Sequence, residues 1–166
     1  MEKIIDFTST QWGVGQGGFH SHTIRIRDDG DTSDKKPNFE MVFDCGSSTA
    51  PMNNQDQVEQ YVSELASRQQ SAKVKQLDLL VVSHFDVDHL SALKKLGAEL
   101  RKEKIKLKKL IAPFITPQDA VFIVISYVIS FNSSNGIDMQ EIEAALDTIT
   151  DPIRLFSDIF DISEDD

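Results

Sequence analysis

Four side chains that commonly bind metals crowd into six residues, directly after an aliphatic run. The stretch reads Leu79-Leu80-Val81-Val82-Ser83-His84-Phe85-Asp86-Val87-Asp88-His89-Leu90. The aliphatic run predicts a strand buried on both faces, so the polar cluster must sit where that strand ends. Strict alternation would send His84, Asp86 and Asp88 to one side. A chain leaving a buried strand has to curl, however, and His89 can then join them around a point. Neutral imidazole and carboxylate together suit zinc, iron or manganese. The bland alternative is a polar strand-to-helix turn with Asp88 capping the following helix. A cap needs one aspartate and leaves the other three ligand-type side chains without a role.

The flanking sequence predicts the frame around this cluster. Lys3-Ile4-Ile5-Asp6-Phe7 reads as an opening strand, followed by the glycine-rich turn Gly13-Val14-Gly15-Gln16-Gly17-Gly18. Residues 19–27 alternate, with His20, His22, Ile24 and Ile26 on one face, and predict a second strand. A polar hairpin loop over residues 28–37 leads into a return strand at 39–43. Val58, Tyr61, Val62, Leu65 and Ala66 recur at helical spacing and predict an amphipathic helix over 56–67. A continuous strand is expected at 77–82, a helix at about 91–103 and a further strand at 108–112. Antiparallel strands followed by strand–helix–strand units indicate a layered α/β fold, not an all-β barrel. Beyond Pro117 the pattern predicts helices at 121–128, 139–149 and 152–160, then a disordered tail at 163–166. The expected divisions are therefore 1–117, an acidic helical segment at 118–162, and the tail.

Charge and composition narrow the function classes. The net charge is −10, but residues 1–110 are balanced at sixteen acids against sixteen bases. Residues 111–166 carry the excess, with eleven acids and only Arg154 opposing them. An acidic chain disfavours a broad nucleic-acid grip, which needs clustered Lys and Arg. A small cleft holding cations could still act on phosphates. Lys94, Lys95 and the bases from Arg101 to Lys109 form a basic cluster, read first as a solvated face and second as a phosphate-facing edge. Cys45 is the single cysteine, which excludes an intrachain disulfide and a cysteine zinc cluster. The longest near-apolar run, residues 120–131, is too short for a bilayer, and the charged N-terminus does not resemble a leader. A cytoplasmic protein without membrane contact is expected.

The six-residue stretch resembles the His-x-His-x-Asp-His motif of the metallo-β-lactamase superfamily. The turn at Gly13–Gly18 and the strand end Met41-Val42-Phe43-Asp44-Cys45-Gly46 follow the same order of features. Its variant, His-x-Asp-x-Asp-His, is similar to the hydrolase domain of ComEC-like DNA-uptake proteins. The resemblance covers about residues 1–115. It implies an αββα sandwich with one or two divalent ions, zinc or manganese, at the edge of its sheets. It also implies a hydrolase in which metal-bound hydroxide attacks an ester, a phosphodiester by preference, within a phosphoester or nucleic-acid substrate.

By the same resemblance, His84 and Asp86 would bind a first ion, while Asp88 and His89 bind a second and Asp88 holds the attacking water. Asp86 stands where most members have histidine and would shift preference towards manganese. Asp44 would support the ligands without touching the metal.

The family completes its site with later ligands, and no histidine follows His89. Asp119, Asp138, Asp147 and Asp151 are the nearest downstream carboxylates. The expectation is thus an N-terminal half of the fold. The alternative function is a catalytically incomplete module serving interaction, completed by a protein partner or by a C-terminal continuation, with one sheet face uncovered.

Three other readings are weaker. Gly13-x-Gly15-x-x-Gly18 fits a dinucleotide fingerprint, but a strand is expected after it in place of a helix. His20 and His22 could form a metal pair, although packed or exposed histidines are commoner. Cys45 is expected to be a small buried residue rather than a nucleophile.

Overall fold

The computed structural model describes residues 2–30, 37–47, 51–113, 116 and 152–161. The expected helices at 121–128 and 139–149, the tail at 163–166 and the carboxylates Asp119, Asp138, Asp147 and Asp151 lie outside them. The chain divides into two compact units, residues 1–112 and 113–166.

The first unit is built on a five-stranded sheet. Strands β1 (Lys3–Gln11), β2 (Phe19–Asp28) and β3 (Phe39–Cys45) form an antiparallel meander. Helix α1 (Pro51–Arg68) follows, then β4 (Lys75–Leu77) and β5 (Leu79–Val81). The short helix α2 (Val87–Leu90) and α3 (Leu93–Lys102) lead into β6 (Ile105–Leu107) and β7 (Leu110–Ile111). The large sheet runs β1-β2-β3-β5-β7, with β3, β5 and β7 parallel, while β4 and β6 pair in a small parallel sheet. This mixed α/β architecture is of the metallo-β-lactamase type expected from the sequence. In the second unit, α4 (Pro152–Phe160) occupies the predicted span and buries Phe156, Ile159 and Phe160.

One face of the sheet carries the core. Val42, Leu80 and Val82 are buried there with Val58, Tyr61, Val62 and Leu65 of α1 and Leu93, Leu96 and Leu100 of α3. Tyr61 meets the rings of Trp12 and Phe19 edge-on, with centroids 5.7 and 5.6 Å away, a favoured aromatic geometry. The helical spacing read in the sequence is thus the stripe that α1 turns to the sheet.

The opposite face is mainly apolar and largely open, with the Lys3–Asp28 ion pair at its far end. Register aligns Ile5 with Ile26 and Phe7 with Ile24. It also aligns His22 with Met41, and His20 with Phe43. Phe43 pairs onward with Val81 and Val81 with Ile111. Ile5 is 66% exposed, Phe7 63% and Ile111 54%.

The expected continuous strand over 77–82 is instead broken at Asp78. Its buried carboxylate accepts from the Glu40 backbone N–H at 3.0 Å and from Gln76 Nε2 at 2.6 Å. Its own N–H donates to the Glu40 carbonyl at 2.9 Å. A side chain that captures backbone donors competes with the sheet ladder, so the chain changes sheets at this residue. The helix expected over 91–103 is α3, and the short α2 before it was not anticipated. The strand expected at 108–112 is only β7, and β6 was not anticipated because three alternating residues give little signal.

Glu40 anchors the same corner. It is fully buried, accepts from Thr23 Oγ1 at 2.7 Å, and pairs with Arg68 Nε at 2.9 Å. Removing one partner of such a pair strands a buried charge. Arg68→Ala should therefore lower stability by about 2–3 kcal/mol, less than for a fully buried pair because Arg68 stays partly solvated. Urea denaturation of the two proteins measures this directly.

Candidate metal centre

The site forms where β3 and β5 end side by side and α2 begins. Beyond Val81 the chain leaves the sheet, and α2 turns Asp88 and His89 back towards His84. One ligand atom from each of His84, Asp88 and His89 lies within 4.8 Å of the others. The two imidazole centroids are 3.8 Å apart and tilted by 49°. Asp86 is exposed and lies outside this group, with its carboxylate 3.5 Å from His84 Nε2. Asp88 approaches His89 Nε2 at 3.6 Å. Capping does not account for Asp88, because α3 starts after Ala92 with no side-chain cap.

Asp44 lies beneath the cluster, 2% exposed and at a positive φ of 56°. Aspartate tolerates this left-handed conformation better than most residues. The conformation aims the carboxylate at the end of β5. Its Oδ1 accepts the Ser83 backbone N–H at 2.7 Å, and its Oδ2 accepts the Ser83 hydroxyl at 2.7 Å. His89 Nδ1 lies 2.7 Å from the same Oδ2. The Ser83 hydroxyl also lies 2.7 Å from His84 Nδ1. Sequence reasoning missed Ser83, since a serine between a strand and a histidine carries no distinguishing signal.

The glycine-rich turn proves to be a packing surface for this site. The Gly18 N–H donates to the Asp88 carbonyl at 3.0 Å, and the Gly46 N–H donates to the Gly18 carbonyl at 2.9 Å. A Cβ on Gly18 would stand 2.9 Å from His89 Nδ1, and one on Gly46 would stand 2.6 Å from the His89 backbone carbon. Only glycine permits backbone approach this close. The dinucleotide reading of these glycines fails, because β2 and not a helix follows them.

The remaining candidates separate from the site. Burial, reinforced by the charge of Asp44, pushes the Cys45 thiol well above its ordinary range, so it is a poor nucleophile. His20 and His22 share the open sheet face, and among the described residues they join no group of three ligands. Burial first, then nearby His20, holds His22 below its usual value. Part of the basic cluster is neutralised internally. Lys95 bonds Glu99 at 2.9 Å and Glu59 at 2.5 Å, and Lys102 bonds Glu99 at 3.1 Å.

The donor set fits a divalent cation. Two donors about 2.1 Å from one ion are at most about 4.2 Å apart, so closing on an ion needs movements of only about half an ångström. Each histidine uses Nδ1 for support and leaves Nε2 towards the cluster, the usual division of labour in metal sites.

A family model of the metallo-beta-lactamase superfamily matches residues 35–153, a span that includes every residue from His84 to His89. No curated protein and no solved structure matches the chain.

Asp44→Asn should keep the backbone conformation but remove the charge that supports His89. Zinc affinity is expected to fall about 10–100-fold, measured by competition with a chromophoric chelator. Gly18→Ala should weaken zinc in the same assay by displacing the His89 ring.

Proposed function

This chain belongs to the metallo-beta-lactamase superfamily, and we propose that it is a metal-dependent hydrolase acting on esters, with phosphodiesters as the preferred class. The observation that carries this reading is the convergence of His84, Asp88 and His89 over a buried Asp44. A bound cation would supply Lewis acidity and lower the pKa of a coordinated water towards neutrality. Mixed nitrogen and oxygen donors suit zinc or manganese, and recruitment of Asp86 would favour manganese. Asp88 would help to hold the cation and would accept a hydrogen bond from the attacking water. His84 and His89 would hold the cation through Nε2. The exposed Lys104, Lys106, Lys108 and Lys109 would favour a phosphate substrate, including a nucleic acid, by raising its local concentration. Among the described residues no helix is long and apolar enough to cross a membrane. A reducing cytoplasmic setting suits the lone buried thiol of Cys45.

A second reading rests on the open face of the sheet. Ile5, Phe7, Ile26, Phe43 and Ile111 are all exposed on it, and contiguous apolar exposure on this scale marks an interaction surface. In that reading the chain is a catalytically incomplete member, the N-terminal half of a site, and its further ligands come from a protein partner or a continuation of the chain.

One set of measurements separates the two. The first reading predicts about one equivalent of tightly bound zinc or manganese and metal-dependent turnover of a generic phosphodiester, with both lost in His84→Ala and Asp88→Ala. Metal bound without turnover selects the incomplete module. Background metal in the parent chain overturns the metal centre itself.

A further inference from the structure

We propose that Ser83 is a positioning residue that fixes the tautomer of His84, so that Asp44 directs both imidazoles at once. The inference rests on the metal-centre reading for its purpose, although its geometry stands without a metal. Asp44 as a carboxylate can only accept hydrogen bonds. The short 2.7 Å approach of Ser83 Oγ to Asp44 Oδ2 therefore requires the hydroxyl proton to lie between them. A serine hydroxyl has one proton, so towards His84 Ser83 can offer only a lone pair. His84 Nδ1, 2.7 Å from that oxygen, must then carry a proton, and its Nε2 is left as the lone-pair donor.

The same rule applies to His89. Its Nδ1 faces Asp44 Oδ2 at 2.7 Å and must donate, which again leaves Nε2 open. One buried carboxylate thus sets two rings to the same tautomer, directly for His89 and through the Ser83 hydroxyl for His84. The relay matters more for His84. His89 is packed against Gly18, whereas the His84 side chain is 46% exposed and its Nδ1 is held by the Ser83 hydroxyl. Without the hydroxyl, the ring could rotate and exchange tautomers, presenting the wrong nitrogen to the site. The Ser83 N–H to Asp44 Oδ1 bond of 2.7 Å holds the relay in place from the backbone.

Histidine 15N NMR on the metal-free chain, above the pH of imidazole titration, reads the tautomers directly. The parent should show His84 and His89 both protonated at Nδ1. Ser83→Ala should move His84 towards a tautomer mixture and leave His89 unchanged, while Ser83→Thr, which restores the hydroxyl, should resemble the parent. Zinc affinity should fall about tenfold or more in Ser83→Ala and recover in Ser83→Thr. A parent His84 protonated at Nε2, or a tautomer unaffected in Ser83→Ala, overturns the inference. If the tautomers behave as stated but the parent binds no metal, the relay stands and the metal-centre reading fails.

Discussion

The buried carboxylate of Asp44 is the interaction around which the rest of the site is arranged. It accepts the Ser83 N–H, the Ser83 hydroxyl and the His89 imidazole, each at 2.7 Å. Burying an unpaired carboxylate would be strongly unfavourable, and these three donors offset that cost with charge-assisted bonds. The positive φ at Asp44 is part of the same arrangement. Strain of this kind costs on the order of 1–3 kcal/mol and persists only where surrounding structure fixes it. Here β3 fixes it from one side and the glycine turn from the other.

That dependence explains why distant parts of the chain converge on six residues. The end of β3 brings Asp44, the end of β5 brings Ser83 and His84, and α2 brings Asp88 and His89. Parallel pairing of Phe43 with Val81 sets the two strand ends level, and this places Asp44 beside Ser83. Gly18 then binds the α2 turn by donating its N–H to the Asp88 carbonyl at 3.0 Å, and the Gly46 N–H holds the Gly18 carbonyl at 2.9 Å. The Cys45 carbonyl accepts the Ala92 N–H at 3.0 Å, and this ties the start of α3 to the same strand end.

Much of this was legible in the sequence, for identifiable reasons. Alternation in residues 19–27 and helical spacing in 56–67 are burial patterns, and the sheet has a buried face that enforces them. His84, Asp88 and His89 were legible because their types and spacing are chemically unusual. What escaped was set by long-range geometry. Asp78 looked like part of an aliphatic strand, and only its capture of the Glu40 N–H, 38 residues away, shows why the strand breaks. Ser83 and the packing role of Gly18 likewise depend on contacts across the fold. Asp86 matched the motif in sequence, yet the turn into α2 leaves it exposed and outside the group of three.

The sheet puts its two faces to different uses. The inner face buries the core and holds Glu40, whose bonds to Thr23, Arg68 and Asp78 keep β2, α1 and the start of β5 together. The outer face carries no charged residue among the register-aligned positions from Ile5 to Ile111. Charged side chains on such a face would discourage association, and their absence leaves an apolar surface that can be covered by packing alone. The candidate metal centre lies at the strand ends, on the edge shared by both faces. Its two imidazoles are positioned by hydrogen bonds beneath them, so covering the outer face need not disturb Asp44, Ser83 or His89. Site geometry and sheet coverage are therefore separable, and a chain can keep the first whatever completes the second.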